Sequence, residues 1–348
     1  MIRGLLLLLA LTPAFATGAL RWSDTLRQAP EWYAGEEART VAAQVVLWQH
    51  PSGGWPKNTD LSRSPTAEQR AARSFAEPTI DNGGTTTPLR FLALVVSARP
   101  DPGLRAAFER GFDYLLAAQY ENGGWPQFFP LKQGYYTHIT YNDNAMVNVL
   151  TLLRDTAGAR PPYAFVDTGR RARAAEAVTK GVACILRTQV KQDGKLTAWC
   201  AQHDERSFEP AWARAFEPPS LSGMETVGIT RFLMGEAPSP EIVAAIEGAV
   251  AWLKAVQIHG LRVDFSTGAD GKRDRLASAE ANASPLWARF YELGTNRPVF
   301  LGRDSVVHYE HNKIERERRA GYAYLGEWPA SLLEKDYPRW RQKHHLLP

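Results

Sequence analysis

The chain has 348 residues, of which 44% are hydrophobic, and it carries a net charge of +4 at neutral pH. It can therefore bury a large core, and its length is normal for a closed toroid or barrel. No long basic run accompanies the mild positive charge, which argues against a nucleic-acid-binding protein. An acidic polymer is compatible with that charge.

The N-terminus has the pattern of a secretion signal. Arg3 precedes the apolar stretch 5–11, and the small-residue cleavage site 14–16 follows. The stretch is too short for a membrane anchor, and no other stretch approaches the roughly 18 apolar residues that would span a bilayer. We therefore expect residues 1–19 to be a signal peptide and residues 20–348 to form a single domain that is secreted or periplasmic, without membrane association.

After this leader, apolar residues recur at helical spacing. Helices are predicted over residues 32–48, 87–96, 106–118, 146–153, 174–186, 223–233 and 242–256. Long connections rich in Gly, Pro, Asn and Trp separate them, and loops of this length inside a compact domain are usually functional. The tail 296–348 is predicted to be irregular with short strands and to fold back against the helices.

The helical runs belong to an internal repeat. Four glutamines end these runs at nearly constant intervals along the chain: Gln49, Gln119, Gln189 and Gln257. The sequence Gly-Gly-Trp-Pro follows the first two, at 53–56 and 123–126. A period of about 70 residues fits two helices and their connections, which is the unit of toroids built from helical hairpins. We predict a mainly α fold, an irregular (α/α) toroid with a few short strands, whose recurring loops share one rim.

Two loops of this rim carry acidic and amide side chains. Asp81 and Asn82 precede one predicted helix, and Asp143 and Asn144 precede another, so that nearly one repeat separates the two aspartates. Oxygen atoms of Asp and Asn are the ligands that calcium takes. The alternative is that these residues are helix N-caps. Their recurrence at one phase of the repeat favours a shared metal site with Asp81, Asn82 and Asp143 as ligands.

A third loop supplies Arg214, which follows Asp143 by about one further repeat. Pro218 and Pro219 stop any helix there, so the arginine is held in a punctuated loop. A lone loop arginine is usually a surface charge. Its occurrence at the same phase as both aspartates indicates instead that three repeats contribute to one functional rim.

Four segments together closely resemble the pectate lyases of polysaccharide lyase family 10. They are Gly-Gly-Trp-Pro-Lys at 53–57, Ile-Asp-Asn-Gly at 80–83, Thr-Tyr-Asn-Asp-Asn-Ala-Met at 140–146 and Arg-Ala-Phe-Glu-Pro-Pro-Ser-Leu-Ser-Gly at 214–223. The resemblance extends from about residue 48 to about residue 328. It implies a helical toroid with a wide groove, and calcium-assisted anti β-elimination on polygalacturonate that releases 4,5-unsaturated oligogalacturonides.

The resemblance also implies roles for single residues. Arg214 matches the catalytic base, Asp81 and Asp143 match the site of Ca²⁺ and the substrate carboxylate, and Arg303 matches a substrate-binding arginine. An arginine is normally protonated. We expect surrounding positive charge and calcium to lower its pKa.

Further residues are candidates for substrate binding. Lys57 and Lys313 are cations that would oppose the charge developing on the substrate carboxylate, and His138 is a candidate subsite residue beside His203 and Asp204. The partner is expected to be polygalacturonate or its oligomers, bound by a monomer.

Several alternatives remain open at this point. Asp81 and Asp143 would also suit a helical-toroid glycoside hydrolase, which needs two carboxylates, and a non-catalytic acidic-glycan-binding protein would keep the same toroid. Trp55 and Trp125 are interpreted as structural. Cys184 and Cys200 are compatible with a disulfide or with two free thiols.

Overall fold

A computed structural model describes residues 20–72, 75 and 77–346. The predicted signal peptide at 1–19 lies outside the described residues. Within those ranges, no helix combines the length and the apolar character that crossing a bilayer demands.

The described part of the chain is built mainly from α-helices. They are α1 (Glu36–Leu47), α2 (Ala67–Ala71), α3 (Thr86–Ala98), α4 (Pro102–Ala117), α5 (Ala145–Ala157), α6 (Thr168–Thr188), α7 (Glu225–Met234), α8 (Pro240–Ala255), α9 (Arg316–Gly321) and α10 (Tyr337–Lys343). The seven predicted helices correspond to α1 and α3–α8. α6 starts well before its predicted start because Asp167 accepts a hydrogen bond from the Arg170 amide (2.9 Å), and such a cap begins a helix before its apolar face does.

The long helices lie in two rows. α3 packs against α5 and α5 against α7, whereas α4 packs against α6 and α6 against α8. The helices pair as α3/α4, α5/α6 and α7/α8, and α1 contacts both α3 and α4. Because α3, α5 and α7 are buried over most of their length, they form the inner row and the others the outer row. The predicted hairpin repeat is confirmed in this arrangement.

The repeated glutamines join neighbouring repeats. In the first three, the side-chain amide donates to its own loop and to the next outer helix: Gln49 to the carbonyls of Gly53 (2.7 Å) and Ala107 (2.8 Å), Gln119 to Gly123 (3.0 Å) and Ala177 (2.9 Å), and Gln189 to Thr197 (2.9 Å) and Ala245 (2.9 Å). The loop therefore has to touch the next helix. At Gly123, with φ +90°, a Cβ would lie 2.1 Å from the Lys180 carbonyl oxygen, so only glycine fits.

Buried tryptophans attach these loops to the helices that precede them. Trp55 and Trp125 are fully buried, and their indole nitrogens donate to Val45 and Leu115 at the ends of α1 and α4, both at 2.8 Å. Their structural interpretation is confirmed. Trp199 and Trp287 do the same for α6 and α8, again at 2.8 Å. Sequence analysis misses these two because no Gly-Gly-Trp-Pro surrounds them.

Short elements cover the ends of the helices. Strands are β1 (Ile139–Thr140), β2 (Lys191–Gln192), β3 (Lys195–Leu196), β4 (Gln202–His203), β5 (Leu261–Thr267), β6 (Arg273–Ala279), β7 (Trp287–Ala288), β8 (Phe300–Leu301), β9 (Val307–His308) and β10 (Leu325–Gly326). They pair in antiparallel twos as β1–β4, β2–β3, β5–β6, β7–β10 and β8–β9. 3₁₀ segments are Trp22–Arg27, Pro30–Ala34, Asp81–Gly83, Tyr135–Thr137, Asn142–Asn144, Tyr163–Phe165 and His311–Lys313, and Leu332–Asp336 is a π-helix.

The C-terminal tail packs against α7 and α8. Phe300, Leu301, Tyr324 and Leu325 share a buried cluster with residues of these helices. The predicted fold-back is confirmed, and so are the short strands, but α9 and α10 are not predicted. Both cysteines are buried free thiols, so of the two alternatives the unpaired one is correct.

Candidate active site

Two matching 3₁₀ turns carry the candidate aspartates. Asp81–Gly83 leads into α3, Asn142–Asn144 leads into α5, and the two turns contact each other. In each turn the second residue is left-handed, Asn82 with φ 48° and Asp143 with φ 50°. Asp81 is therefore equivalent to Asn142 rather than to Asp143. Asn144 occupies the N-cap position of α5, but no side-chain capping hydrogen bond occurs at either turn or helix start, so capping does not account for these side chains.

Asp81 is 4% exposed, and its two oxygens differ. Oδ2 contacts the Lys57 ammonium and accepts a hydrogen bond from Gln127 Nε2 (2.6 Å). Oδ1 is buried and accepts no hydrogen bond from the described residues. Lys57 and Gln127 follow the first and second Gly-Gly-Trp-Pro loops, so equivalent positions of two repeats meet at one carboxylate. An unsatisfied buried oxygen of this kind needs an explanation such as a bound ion.

Asp143 is held by a buried arginine that sequence analysis missed. Arg289 Nη2 donates to Asp143 Oδ1 (2.9 Å), to Asn142 Oδ1 (3.0 Å) and to Glu225 Oε1 (2.6 Å). Burial lowers the pKa of Arg289, but Glu225, Tyr322 and Asp143 together raise it by more, so the pKa lies above its ordinary value. Asp143 Oδ2 accepts from Asn142 (2.8 Å), and the carboxylate stays one-third exposed at 34%. It can therefore take a further ligand.

Arg214 forms a two-pronged ion pair with Glu217. Nε and Nη2 donate to the two carboxylate oxygens at 2.8 and 2.5 Å, and the Arg214 amide donates to the same group at 3.1 Å. Tyr322 donates to Glu217 Oε1 (2.8 Å). Burial lowers the pKa of Arg214, but the hydrogen bonds and charge of Glu217, with smaller contributions from two tyrosines, together raise it by more. The expectation of a lowered pKa is therefore wrong in this structure, because the nearest charge is negative.

Two aromatic rings connect Arg214 to the other cations. The Phe216 ring lies 4.8 Å from the Arg214 guanidinium, 4.4 Å from that of Arg318 and 5.9 Å from that of Arg303. The Tyr322 ring lies 5.5 Å from Arg214 and 4.7 Å from Arg289. Since Arg289 binds Asp143, a continuous chain of contacts runs from Arg214 to the aspartate turns.

The remaining candidate site residues lie in different parts of the structure. Arg303 lies on the Phe216 side, where it donates to Glu317 at 2.9 and 3.0 Å. Asn82 is exposed and donates to Asn58 (3.1 Å). Lys313 ends the segment His311–Lys313, which packs against β6 rather than against the aspartate turns.

His138 belongs to a separate cluster. Pairing of β1 with β4 places it beside Asp204 and Glu205, and potential ligand atoms of the three lie within 4.8 Å of one another. Glu205 contacts His138 Nδ1 (3.1 Å), and Asp204 Oδ1 accepts from the amides of Arg206 (2.9 Å) and Ser207 (2.8 Å). These bonds within the protein account for the cluster without an ion.

His203 is buried and has a structural place. Its Nδ1 donates to the Phe208 carbonyl (2.8 Å), and its Nε2 accepts from the Cys200 amide (3.0 Å). Burial lowers the pKa of this imidazole to about 4. Both nitrogens are used, so His203 supports the β4 loop rather than a substrate.

Known proteins are similar to this chain over most of its length. The family described as Pectic acid lyase matches residues 49–333. A solved structure of a family 10 polysaccharide lyase from Cellvibrio cellulosa has 34% sequence identity and a TM-score of 0.77, covering 94% of this chain and 95% of the other. A mutant of such a lyase from the same organism, in complex with trigalacturonic acid, has 33% identity and a TM-score of 0.76, covering 93% of this chain and 98% of the other. The curated proteins contain no match.

The helix-rich fold and these matches first define the class: the chain is a polysaccharide lyase. It belongs to the Pectic acid lyase family, and its solved neighbours place it with the pectate lyases of polysaccharide lyase family 10. The resemblance inferred from the four motifs is thereby confirmed, and neither the hydrolase nor the binding-protein alternative agrees with this membership.

Proposed function

We propose that the protein cleaves polygalacturonate by calcium-assisted anti β-elimination, with Arg214 as the base. The observation that supports this most directly is the chain of contacts from Asp81 through Asp143 and Arg289 to Arg214. It brings two carboxylates suited to a cation and several guanidinium groups suited to uronates onto one face. The neighbour in complex with trigalacturonic acid supports the same substrate class.

The residues present fit a calcium ion. Asp81 Oδ1 is buried without a hydrogen bond, and Asp143 retains exposed surface. Among the described residues, the only group of three His, Cys, Asp or Glu ligands within 4.8 Å is the His138 cluster. The aspartates therefore do not form a complete set of ligands by themselves, and Asp81, Asp143 and Asn82 would hold calcium together with oxygens of the substrate. Bound calcium would stabilise negative charge on the uronate carboxylate.

The reaction requires one proton acceptor on the chain. The C5–H bond of the uronate breaks and its electron pair forms the C4=C5 double bond, while the C4–O4 bond breaks and the leaving oxygen takes up a proton from solvent. Arg214 would accept the C5 proton at the nitrogen that Glu217 leaves free. Arg303 and Lys57 would bind uronate carboxylates, and the charge developing there strengthens these contacts in the transition state. The buried Arg289 would hold Asp143 in place.

The domain, its overall fold and its outer subsites are inferred as well. We infer that residues 20–348 form one lyase domain, and that the two helical rows are part of an irregular toroid with the candidate site on its rim. Lys313 and His138 would serve outer subsites, and the protein would act as a secreted or periplasmic monomer.

Incubation with polygalacturonate tests the proposal. Elimination creates a conjugated unsaturated uronide that absorbs near ~235 nm, whereas hydrolysis creates no such chromophore, because both products keep saturated rings. We expect absorbance to rise in buffer with calcium and to stop rising when a chelator is added. Products without this absorbance would refute elimination, and a rate that the chelator leaves unchanged would refute the calcium assignment.

A further inference from the structure

Glu217 holds Arg214 in a single orientation. The carboxylate is 3% exposed and uses both oxygens on one edge of the guanidinium, at Nε and Nη2. A turn fixes this geometry, since the Glu217 amide donates to the Arg214 carbonyl (2.8 Å) and Pro218 and Pro219 follow directly. Arg214 Nη1 remains outside the pair, and the arginine side chain is 44% exposed.

We propose that Glu217 is the positioning residue of Arg214: it presents Nη1 to the substrate, and its negative charge sets the pH range of the reaction. This inference rests on the proposed function. A planar guanidinium held along one edge can meet a C–H bond only with the opposite nitrogen, so the carboxylate determines the direction of proton transfer.

The charge of Glu217 also has an effect of known sign. A carboxylate stabilises the protonated guanidinium beside it, and only the neutral form can accept a proton. Burial raises the pKa of Glu217, but Arg214 and the Tyr322 hydrogen bond together lower it by more, so the carboxylate is ionised at neutral and alkaline pH. Loss of this charge should move the rising limb of the rate profile, along which the base loses its proton, to lower pH.

Other charged or titratable groups also face this pair. They are Tyr322, Tyr135, Tyr324, Arg303 and Arg318. Tyr322 bonds directly to the Glu217 carboxylate. Tyr322→Phe removes that hydrogen bond without changing a charge, which makes it the matched control for Glu217→Gln.

The test measures kcat and KM for polygalacturonate against pH in wild type, E217Q, E217D and Y322F. In E217Q the midpoint of the rising limb should fall by about 1 to 3 pH units, and kcat on the plateau should fall at least tenfold with little change in KM. E217D retains the charge but shortens the side chain, so it should lower kcat without moving the midpoint. Y322F should move the midpoint far less than E217Q, because Tyr322 contributes less than Glu217 to the raised pKa of Arg214.

Three results would overturn the inference. They are an unmoved midpoint in folded E217Q, an E217D variant with wild-type kcat, and an equal midpoint shift in Y322F. If E217Q does not fold, E217D alone decides the positioning role by its kcat. Failure of the proposed function is separate, because wild type would then produce no unsaturated uronide, or Arg214→Ala would still produce it.

Discussion

His203 gives the stability of this protein a specific dependence on pH. Its pKa is lowered from 6.5 to about 4 by burial, whereas the unfolded chain titrates near the ordinary value. Between these two values the unfolded state binds the proton and the folded state does not. Stability from His203 is therefore fully present above about pH 6.5 and is lost as the pH falls toward about 4.

The size of this effect follows from the shift. Each pKa unit corresponds to about 1.4 kcal/mol, so a shift of this size contributes about 3 kcal/mol to the free energy of unfolding. The loss should act on the site, because β4 pairs with β1 and the Ala201 carbonyl accepts hydrogen bonds from the amides of Tyr141 and Asn142, both at 2.9 Å. Acidification should therefore loosen the turn that carries Asp143.

Urea unfolding at several pH values measures this dependence. Wild type should lose about 3 kcal/mol between about pH 6.5 and 4 from this residue, and His203→Gln should be less stable at neutral pH but show a correspondingly shallower slope. His259→Gln is the matched control, because it makes the same substitution at an exposed imidazole. Equal slopes for wild type and His203→Gln would refute the reasoning.

Three further predictions concern catalysis. Arg214→Lys should keep a charge beside the buried Glu217, and hence a folded protein, yet abolish elimination because a flexible ammonium replaces the planar group; a folded, active Lys variant would exclude the base role. Asp81→Ala and Asp143→Ala should each raise the calcium concentration for half-maximal activity, or remove activity, in a calcium titration. Highly methyl-esterified pectin should react far more slowly than polygalacturonate at every pH, since esterification removes the charge that the cations bind; equal rates would contradict uronate recognition.

The sequence predicts the elements that repeat. A side chain that recurs at the same position of the repeat indicates a contact that successive hairpins share. The glutamines make equivalent contacts in three repeats. The helices follow from apolar spacing because each inner helix is buried over most of its length. By contrast, the longer strands β5 and β6 are mostly exposed and are not predicted, although Leu261, Val263 and Phe265 of β5 alternate with polar residues, which is a pattern typical of a strand.

The contacts at the candidate site that sequence analysis does not predict are made by residues that do not recur in the repeat. Arg289 meets Glu225 and Asp143, both of which are distant from it in the sequence, and no spacing along the chain indicates such a contact. Glu217 lies three residues after Arg214, so the sequence allows an ion pair between them. Closeness along the chain does not by itself show that the two side chains meet, because that depends on the conformation of the loop. The repeat phase also misses that Asp81 corresponds to Asn142 and not to its neighbour Asp143.

The balance of charge at the candidate site affects substrate binding. The oppositely charged groups joined by direct contacts at the site are four carboxylates, on Asp81, Asp143, Glu217 and Glu225, and three cations, on Lys57, Arg214 and Arg289. These groups carry one net negative charge, which opposes a uronate, and one divalent cation reverses the sign. Binding of trigalacturonic acid should therefore depend on calcium even in an inactive Arg214→Lys variant, as calorimetry with and without calcium would show. Equal affinity in both conditions would mean that the arginines alone recognise the substrate, and that calcium, if it acts, acts only on the transition state.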